Sequence, residues 1–165
     1  MTSREKFYVE TIALSARERC IEANIISRDT RNMSVNQLEK IVNLFSGSLK
    51  PSEDRTYLEK ISDDSFVIHY NNADDYLSIL HELGHVFFDF SQMSIGEVRN
   101  HDGIDKSDTW ASLFSRSYAM PREIFESDVI SNISYGKCDI NSVASKYKIN
   151  YFDIMSRGED LNIWE

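Results

Sequence analysis

The chain has 165 residues and carries 18 Lys and Arg against 27 Asp and Glu, a formal net charge of −9. Hydrophobic residues make up 41% of it and aromatic residues 12%, which is enough for a buried core and excludes a wholly disordered chain. The acidic balance argues against general DNA binding, because affinity for phosphate backbones comes from clustered Lys and Arg.

The sequence also indicates a compartment. No apolar run approaches the roughly 20 residues that a membrane-spanning helix needs. The first ten residues lack the apolar stretch of a secretory signal, and two cysteines are too few for a disulfide scaffold. We therefore expect a cytoplasmic protein that does not enter the membrane.

Two helices are predicted at the start of the chain. Apolar residues recur at spacings of three and four over residues 3–26, which is the pattern of one helix face. Ser34, with Gln37 three residues later, predicts a capping box at the start of a second helix. Gly47 stands where a glycine commonly terminates such a helix.

The pattern then changes to short aromatic and β-branched runs. Residues 57–61 and 66–70 predict a β-hairpin, and a strongly apolar helix is expected over residues 73–90. Residues 91–107 form the longest predicted loop, and loops of this length often border an active site. A further helix is expected from Asp108 to Ala119, where Pro121 prevents its continuation.

The last part of the chain, residues 127–165, predicts two or three short helices. The whole pattern predicts the α+β class, with helices packed on a short antiparallel or mixed sheet. We expect a core over residues 1–126 and a helical C-terminal segment over residues 127–165 that packs on it.

The apolar helix contains the motif H-E-x-x-H, formed by His81, Glu82 and His85. Residues four apart lie on the same face of a helix, so both imidazoles can reach one metal ion. Catalytic zinc takes three protein ligands and keeps one position for water, from which a neighbouring carboxylate can take a proton. The motif therefore predicts a zinc hydrolase in which Glu82 is the general base, although other divalent metals also fit the ligands.

A third ligand is not fixed by the motif. Phe88 and Ser91 occupy the places where metzincins have glycine and histidine, which excludes that class. Asp108 can supply a ligand from a second helix, or it can simply cap that helix. Spacing alone leaves the following downstream candidates open: Glu97, His101, Asp102, Asp105 and Asp108.

These residues resemble the ImmA/IrrE family of metallopeptidases. The resemblance includes H-E-L-G-H, then an acidic residue, Ala and Phe about twenty residues later at Asp108, Ala111 and Phe114, and a helix that ends at Met120-Pro121. It covers roughly residues 34–162, is most specific at 81–85, and implies a zincin-like core. It aligns Asp108 with the glutamate that is the family's third metal ligand. Because Asp is one methylene shorter than Glu, either the two helices must lie closer together or the metal must bind less tightly.

The resemblance also implies a biological role. Members of this family inactivate a helix-turn-helix transcriptional repressor of a phage, mobile element or stress regulon, and several do so by proteolysis. The prediction is therefore a zinc metalloprotease that acts as an anti-repressor. The alternatives are a non-proteolytic anti-repressor that sequesters its partner through a vestigial metal site, and a zinc hydrolase of small molecules.

Further predictions concern single residues outside the motif. Many family members have a histidine where this chain has Asp89. Asp89 could contact a metal ligand or could simply be exposed, and we expect it to be exposed. A peptidase also needs a donor for the oxyanion, and the candidates are His101, Arg116 and Tyr118.

The strand over residues 66–70 carries His69, which could line the active-site cleft but which we expect to be an ordinary half-exposed strand histidine. We expect this strand to be an edge strand that could pair with a peptide substrate. The tail has the helix pattern of a helix-turn-helix. Its second helix, however, contains only one basic residue, Arg157, so no direct DNA binding is expected.

Overall fold

The computed structural model describes residues 1–99 and 105–164. The helices in these ranges are α1 (Ser3–Glu22), α2 (Val35–Leu44), α3 (Tyr76–Phe88), α4 (Lys106–Ala119), α5 (Arg122–Ser131), α6 (Ile140–Tyr147) and α7 (Tyr151–Asp160). The strands are β1 (Gly47–Pro51), β2 (Tyr57–Ser62), β3 (Ser65–Tyr70), β4 (Ile133–Ser134) and β5 (Lys137–Cys138). The predicted α+β class is confirmed, and so are the short helices of the tail.

The larger sheet has three strands in the order β1-β3-β2. The predicted hairpin is present as the antiparallel pair of β2 and β3, and β1 pairs with β3 in parallel, so the sheet is mixed. The prediction that residues 66–70 form an edge strand is wrong. Because β3 has a neighbour on both sides, it cannot pair with a substrate peptide.

A segment of the long connection after α3 covers part of the outer edge of β2. The Lys60 amide donates to the Glu97 carbonyl oxygen at 3.0 Å, and the Arg99 amide donates to the Leu58 carbonyl oxygen at 2.9 Å. Residues 96–99 therefore lie along the sheet, which fixes the backbone of Arg99.

The start of α2 agrees with the prediction and its end does not. Ser34 and Gln37 form the capping box, with the Gln37 amide donating to Ser34 Oγ at 3.2 Å. Ser46, rather than Gly47, adopts the positive φ of 71° after the helix. Gly47 instead begins β1, where a Cβ would lie 2.2 Å from the Phe66 ring. Its lack of a side chain makes room for that ring.

Helices α3 and α4 pack against each other at Gly84. A Cβ on Gly84 would lie 2.9 Å from the Cα of Ala111 and 3.2 Å from the Phe114 ring. Both facing residues are fully buried. Glycine therefore sets the spacing of these two helices, which accounts for a residue that is otherwise unfavourable inside a helix.

The hydrophobic core is continuous from α1 to α7. The predicted boundary at residues 126/127 lies inside α5, so it does not coincide with the end of an element. In the part of the chain that the structure describes, no helix combines the length and apolarity that a membrane span requires.

A buried carboxylate connects the tail to the N-terminal half. Asp128 accepts hydrogen bonds from Arg31 Nε at 2.7 Å, from Lys146 Nζ at 2.9 Å and from the Tyr147 hydroxyl at 2.9 Å. Burial by itself would raise the pKa of Asp128, but the hydrogen bonds from Arg31, Lys146 and Tyr147 lower it below its usual value. The ionised Asp128 carboxylate therefore stabilises the folded state.

We expect Gly84→Ala to destabilise the metal-free protein. Alanine gains roughly 1 kcal/mol of helix propensity, but forcing a methyl group against the α4 backbone costs about 1–3 kcal/mol. Urea unfolding of both proteins in the presence of a chelator measures the balance. A variant more stable than the wild type would show that the two helices are not in close contact here.

We expect Asp128→Asn to lower the free energy of unfolding by roughly 2 kcal/mol at pH 7, because it removes the charge-assisted hydrogen bonds from Arg31 and Lys146. The folded-state pKa is depressed, so this contribution is present above the unfolded-state value of about 3.9 and disappears as the pH falls through the folded-state pKa.

Urea unfolding of wild type and variant between pH 3 and pH 7 measures this difference. Asp63→Asn is the control, since its carboxylate pairs with Lys60 at 83% side-chain exposure and should change stability by less than about 1 kcal/mol. A pH-independent difference for Asp128→Asn would contradict the electrostatic account.

Candidate metal centre

Helix α3 brings the two motif histidines together. It begins after Asp75, whose side chain accepts from the Ser78 amide at 3.2 Å. One turn further on, the Nε2 atoms of His81 and His85 lie 3.1 Å apart. His85 is fully buried and His81 is partly exposed, so the pair lies at the floor of an opening rather than inside the core.

Asp108 serves both as a helix cap and as part of the histidine cluster. Helix α4 begins at Lys106 and not at Asp108, and Asp105 is its N-cap. Asp108 Oδ2 accepts from the Asp105 amide at 3.1 Å, while Asp108 Oδ1 lies 3.2 Å from His85 Nε2 and 3.9 Å from His81 Nε2. The capping role and the ligand role are therefore compatible, because each uses a different oxygen.

These three side chains form a group that can hold a metal ion. Their candidate ligand atoms all lie within 4.8 Å of one another. For comparison, ligand atoms placed tetrahedrally about 2.0–2.1 Å from an ion are about 3.3 Å apart. The observed separations of 3.1, 3.2 and 3.9 Å are near this value.

The orientation of His85 is fixed by Asp89. His85 Nδ1 lies 3.0 Å from Asp89 Oδ1, and Arg99 also contacts this carboxylate. A carboxylate paired with a guanidinium is ionised and accepts only, so His85 Nδ1 donates the proton. The acceptor atom Nε2 then points toward Asp108, which is the arrangement of a metal-binding histidine.

The expectation that Asp89 is exposed is therefore wrong. Asp89 is only 6% exposed, because its carboxylate lies between His85 and Arg99. Asp89 follows His85 by four residues and contacts it, which agrees with the alternative that Asp89 contacts a metal ligand.

His81 has a neutral neighbour at the corresponding position. The Ser112 hydroxyl on α4 lies 3.2 Å from His81 Nδ1. Ser112 follows Asp108 by four residues, so it shares a face of α4 with the third candidate ligand. Ser112 was not among the predicted site residues, although its spacing from Asp108 indicates this position.

Arg99 is the second residue that the sequence analysis did not identify. Its Nη1 contacts Asp89, and its Nη2 lies 3.1 Å from Asp105 Oδ2 and 3.7 Å from Asp108 Oδ1. Within the described residues, three carboxylates thus surround one guanidinium. The excess negative charge favours binding of a cation.

Asp105 belongs to this cluster as a cap and not as a ligand. Hydrogen bonds from the Ser107 hydroxyl and from the Asp108 amide lower the pKa of the Asp105 carboxyl below its usual range. These bonds keep the first turn of α4 in place at the edge of the cluster.

Of the candidates that the structure describes, Glu97 and Asp105 are not part of the group. Glu97 Oε2 accepts from the Ser94 amide at 2.6 Å within its own loop. His101 and Asp102 lie outside the described residues. Among the five downstream candidates, Asp108 is thus the one that the described structure places against both histidines.

Two oxyanion candidates lie away from the cluster. Arg116 donates to Asp160 at 2.7 Å, and Tyr118 is fully buried. His101, the third, falls in the range that is not described.

His69 is also separate from the candidate metal group. Its Nε2 lies 2.7 Å from Glu59 Oε2, and its ring stacks on Tyr57 at a centroid distance of 4.4 Å. It is half-buried, as predicted for a strand histidine.

A cleft of about 350 Å³ opens beside the motif. Its walls come from the loop before β2, the end of β3 and the exposed face of α3 (Arg55, Thr56, Asn71, Ser78, His81 and Glu82). Glu82 is only 3% exposed, yet it lines this cleft. A molecule in the cleft would meet both the candidate base and one candidate metal ligand.

Comparisons with protein-family models, with curated proteins and with solved structures found no match for this chain.

We expect a divalent metal to stabilise the protein through this group. With Zn²⁺ as the probe at a free concentration one hundred times its Kd, the free energy of unfolding should rise by about 2.7 kcal/mol. Thermal unfolding with and without the metal measures the change. His85→Ala should abolish it, whereas His69→Ala should retain it, because His69 pairs with Glu59. An equal response in both variants would place the metal elsewhere.

Proposed function

We propose that this chain is a zinc-dependent metallopeptidase of the ImmA/IrrE type, with a zincin-like core, that cleaves a helix-turn-helix transcriptional repressor and so relieves repression. The observation that supports it best is the convergence of His81, His85 and Asp108 beside a cleft that Glu82 also lines. A metal group alone does not distinguish storage from catalysis, but a carboxylate next to it supplies a base.

Zinc suits this set of donors. Two imidazole nitrogens and one carboxylate oxygen are a ligand combination of catalytic zinc sites. A zinc ion held in this way supplies Lewis acidity, which polarises a carbonyl and makes water nucleophilic at neutral pH. His81, His85 and Asp108 are the residues that would hold it.

Glu82 is the proposed general base and acid. It accepts a proton from the attacking water and then delivers that proton to the amine of the cleaved peptide bond. Its position next to His81 in the helix sequence keeps it at the ligand group, and its low exposure limits competing solvent. Asp89 and Ser112 keep the imidazoles oriented during this step.

The proposed partner follows from the family resemblance and is supported by charge. DNA-binding surfaces are basic, so a chain of net charge −9 is suited to approach one. Direct DNA binding by the tail is not part of the proposal. Arg157, the basic residue of α7 considered above, is 2% exposed and donates to Glu10 at 2.9 Å and to the Met120 carbonyl oxygen at 2.9 Å.

Glu82→Gln separates cleavage from binding. The amide preserves the shape of the side chain but cannot accept the proton, so we expect at least a hundredfold slower cleavage with the metal content unchanged. The wild type and the variant are incubated with the repressor encoded beside the gene, and the products are identified by mass spectrometry. Metal analysis of both samples is the control.

Repressor inactivation by Glu82→Gln at the wild-type level, without cleavage, would instead support sequestration. Turnover of a small substrate without any protein partner would support the third alternative. A wild type that lacks stoichiometric metal after growth in zinc would contradict the metallopeptidase proposal.

A further inference from the structure

Arg99 occupies a position from which one side chain reaches both helices of the candidate metal centre. Its backbone is attached to the sheet, since its amide donates to the Leu58 carbonyl oxygen at 2.9 Å. Its side chain is only 15% exposed and extends from there to the C-terminal end of α3 and the N-terminal turn of α4. Arg99 therefore links the edge of the sheet to the candidate metal group.

The two branches of the guanidinium serve different helices. Nη1 contacts Asp89, the carboxylate that orients His85. Nη2 lies 3.1 Å from Asp105, contacts the Ser107 hydroxyl and lies 3.7 Å from Asp108 Oδ1. One planar fork thus holds the carboxylate that orients His85 and, through Asp105 and Ser107, the first turn of the helix that carries Asp108.

We propose that Arg99 is a positioning residue that sets the metal affinity of the site by holding Asp89 and Asp108 in place. This inference rests on the proposed metal centre and goes beyond it, because Arg99 lies neither in the H-E-x-x-H motif nor in helix α4. Without the guanidinium, the Asp89, Asp105 and Asp108 carboxylates would repel one another, and His85 and Asp108 would lose their fixed orientation.

The sign of the effect distinguishes positioning from simple charge. A positive charge close to a bound cation is repulsive, so removing a guanidinium that acted only as a charge would tighten metal binding. Removing one that positions the ligands would weaken it, and outer partners of metal ligands typically contribute 10- to 100-fold in affinity. Lysine retains the charge but not the planar fork, so it should restore binding only in part.

The experiment measures Zn²⁺ affinity by competition with a chromophoric chelator for the wild type, Arg99→Met and Arg99→Lys. Arg116→Met is the matched control: Arg116 is also a partly buried arginine, paired with Asp160 at 2.7 Å, and its carboxylate partner is not in the metal group. The visible spectrum of the Co²⁺-loaded proteins reports the coordination geometry independently of any activity.

We expect Arg99→Met to bind Zn²⁺ 10- to 100-fold more weakly and to alter the Co²⁺ spectrum, Arg99→Lys to be intermediate, and Arg116→Met to match the wild type. Unchanged or tighter binding by Arg99→Met would overturn the positioning role while leaving the metallopeptidase proposal intact. If Arg99→Met does not fold, the Zn²⁺ affinity of Arg99→Lys is the test: weaker binding than wild type supports the positioning role, and unchanged or tighter binding overturns it. A wild type that binds no Zn²⁺ would overturn both proposals.

Discussion

The contact between α3 and α4 at Gly84 is the constraint on which the candidate site depends. The histidines are on one helix and Asp108 is on the other, so the distance between helix axes determines whether the three side chains can meet. With a Cβ on Gly84 only 2.9 Å from the Ala111 backbone, the two helices are about as close as their backbones allow. A short aspartate can then reach the histidines, with Asp108 Oδ1 3.2 Å from His85 Nε2. The glycine in the motif and the short side chain of Asp108 are both consistent with one close helix pair.

Much of the local structure could be predicted, because its signals are contained in short stretches of sequence. The capping box at Ser34, the β2–β3 hairpin and the helix that carries His81 and His85 each depend on spacings of a few residues. Strand β1 was not predicted, because no signal for it lies within a short stretch of sequence. Its five residues include a single large aliphatic side chain, Leu49, and its parallel partner begins eighteen residues further along the chain, so no local pattern marks it.

The candidate site divides in the same way. The ligand types followed from the motif, and Asp89 and Ser112 were within reach of an argument from helical spacing. Arg99 was not, because its role arises from the pairing of residues 96–99 with β2, a contact between segments almost forty residues apart. The burial of the Asp89 carboxylate was misjudged for a related reason. An acidic residue is usually exposed, and only a partner supplied by the tertiary fold makes its burial favourable.

Asp108 joins two events that are usually independent. One of its oxygens helps to initiate α4, and the other faces the candidate metal group. By thermodynamic linkage, anything that stabilises the carboxylate in this orientation from one side favours it from the other. Occupancy of the metal group and order in the first turn of α4 would therefore rise and fall together. Amide exchange at the start of this helix would report whether the protein is loaded with metal, because loss of metal would loosen the first turn of α4.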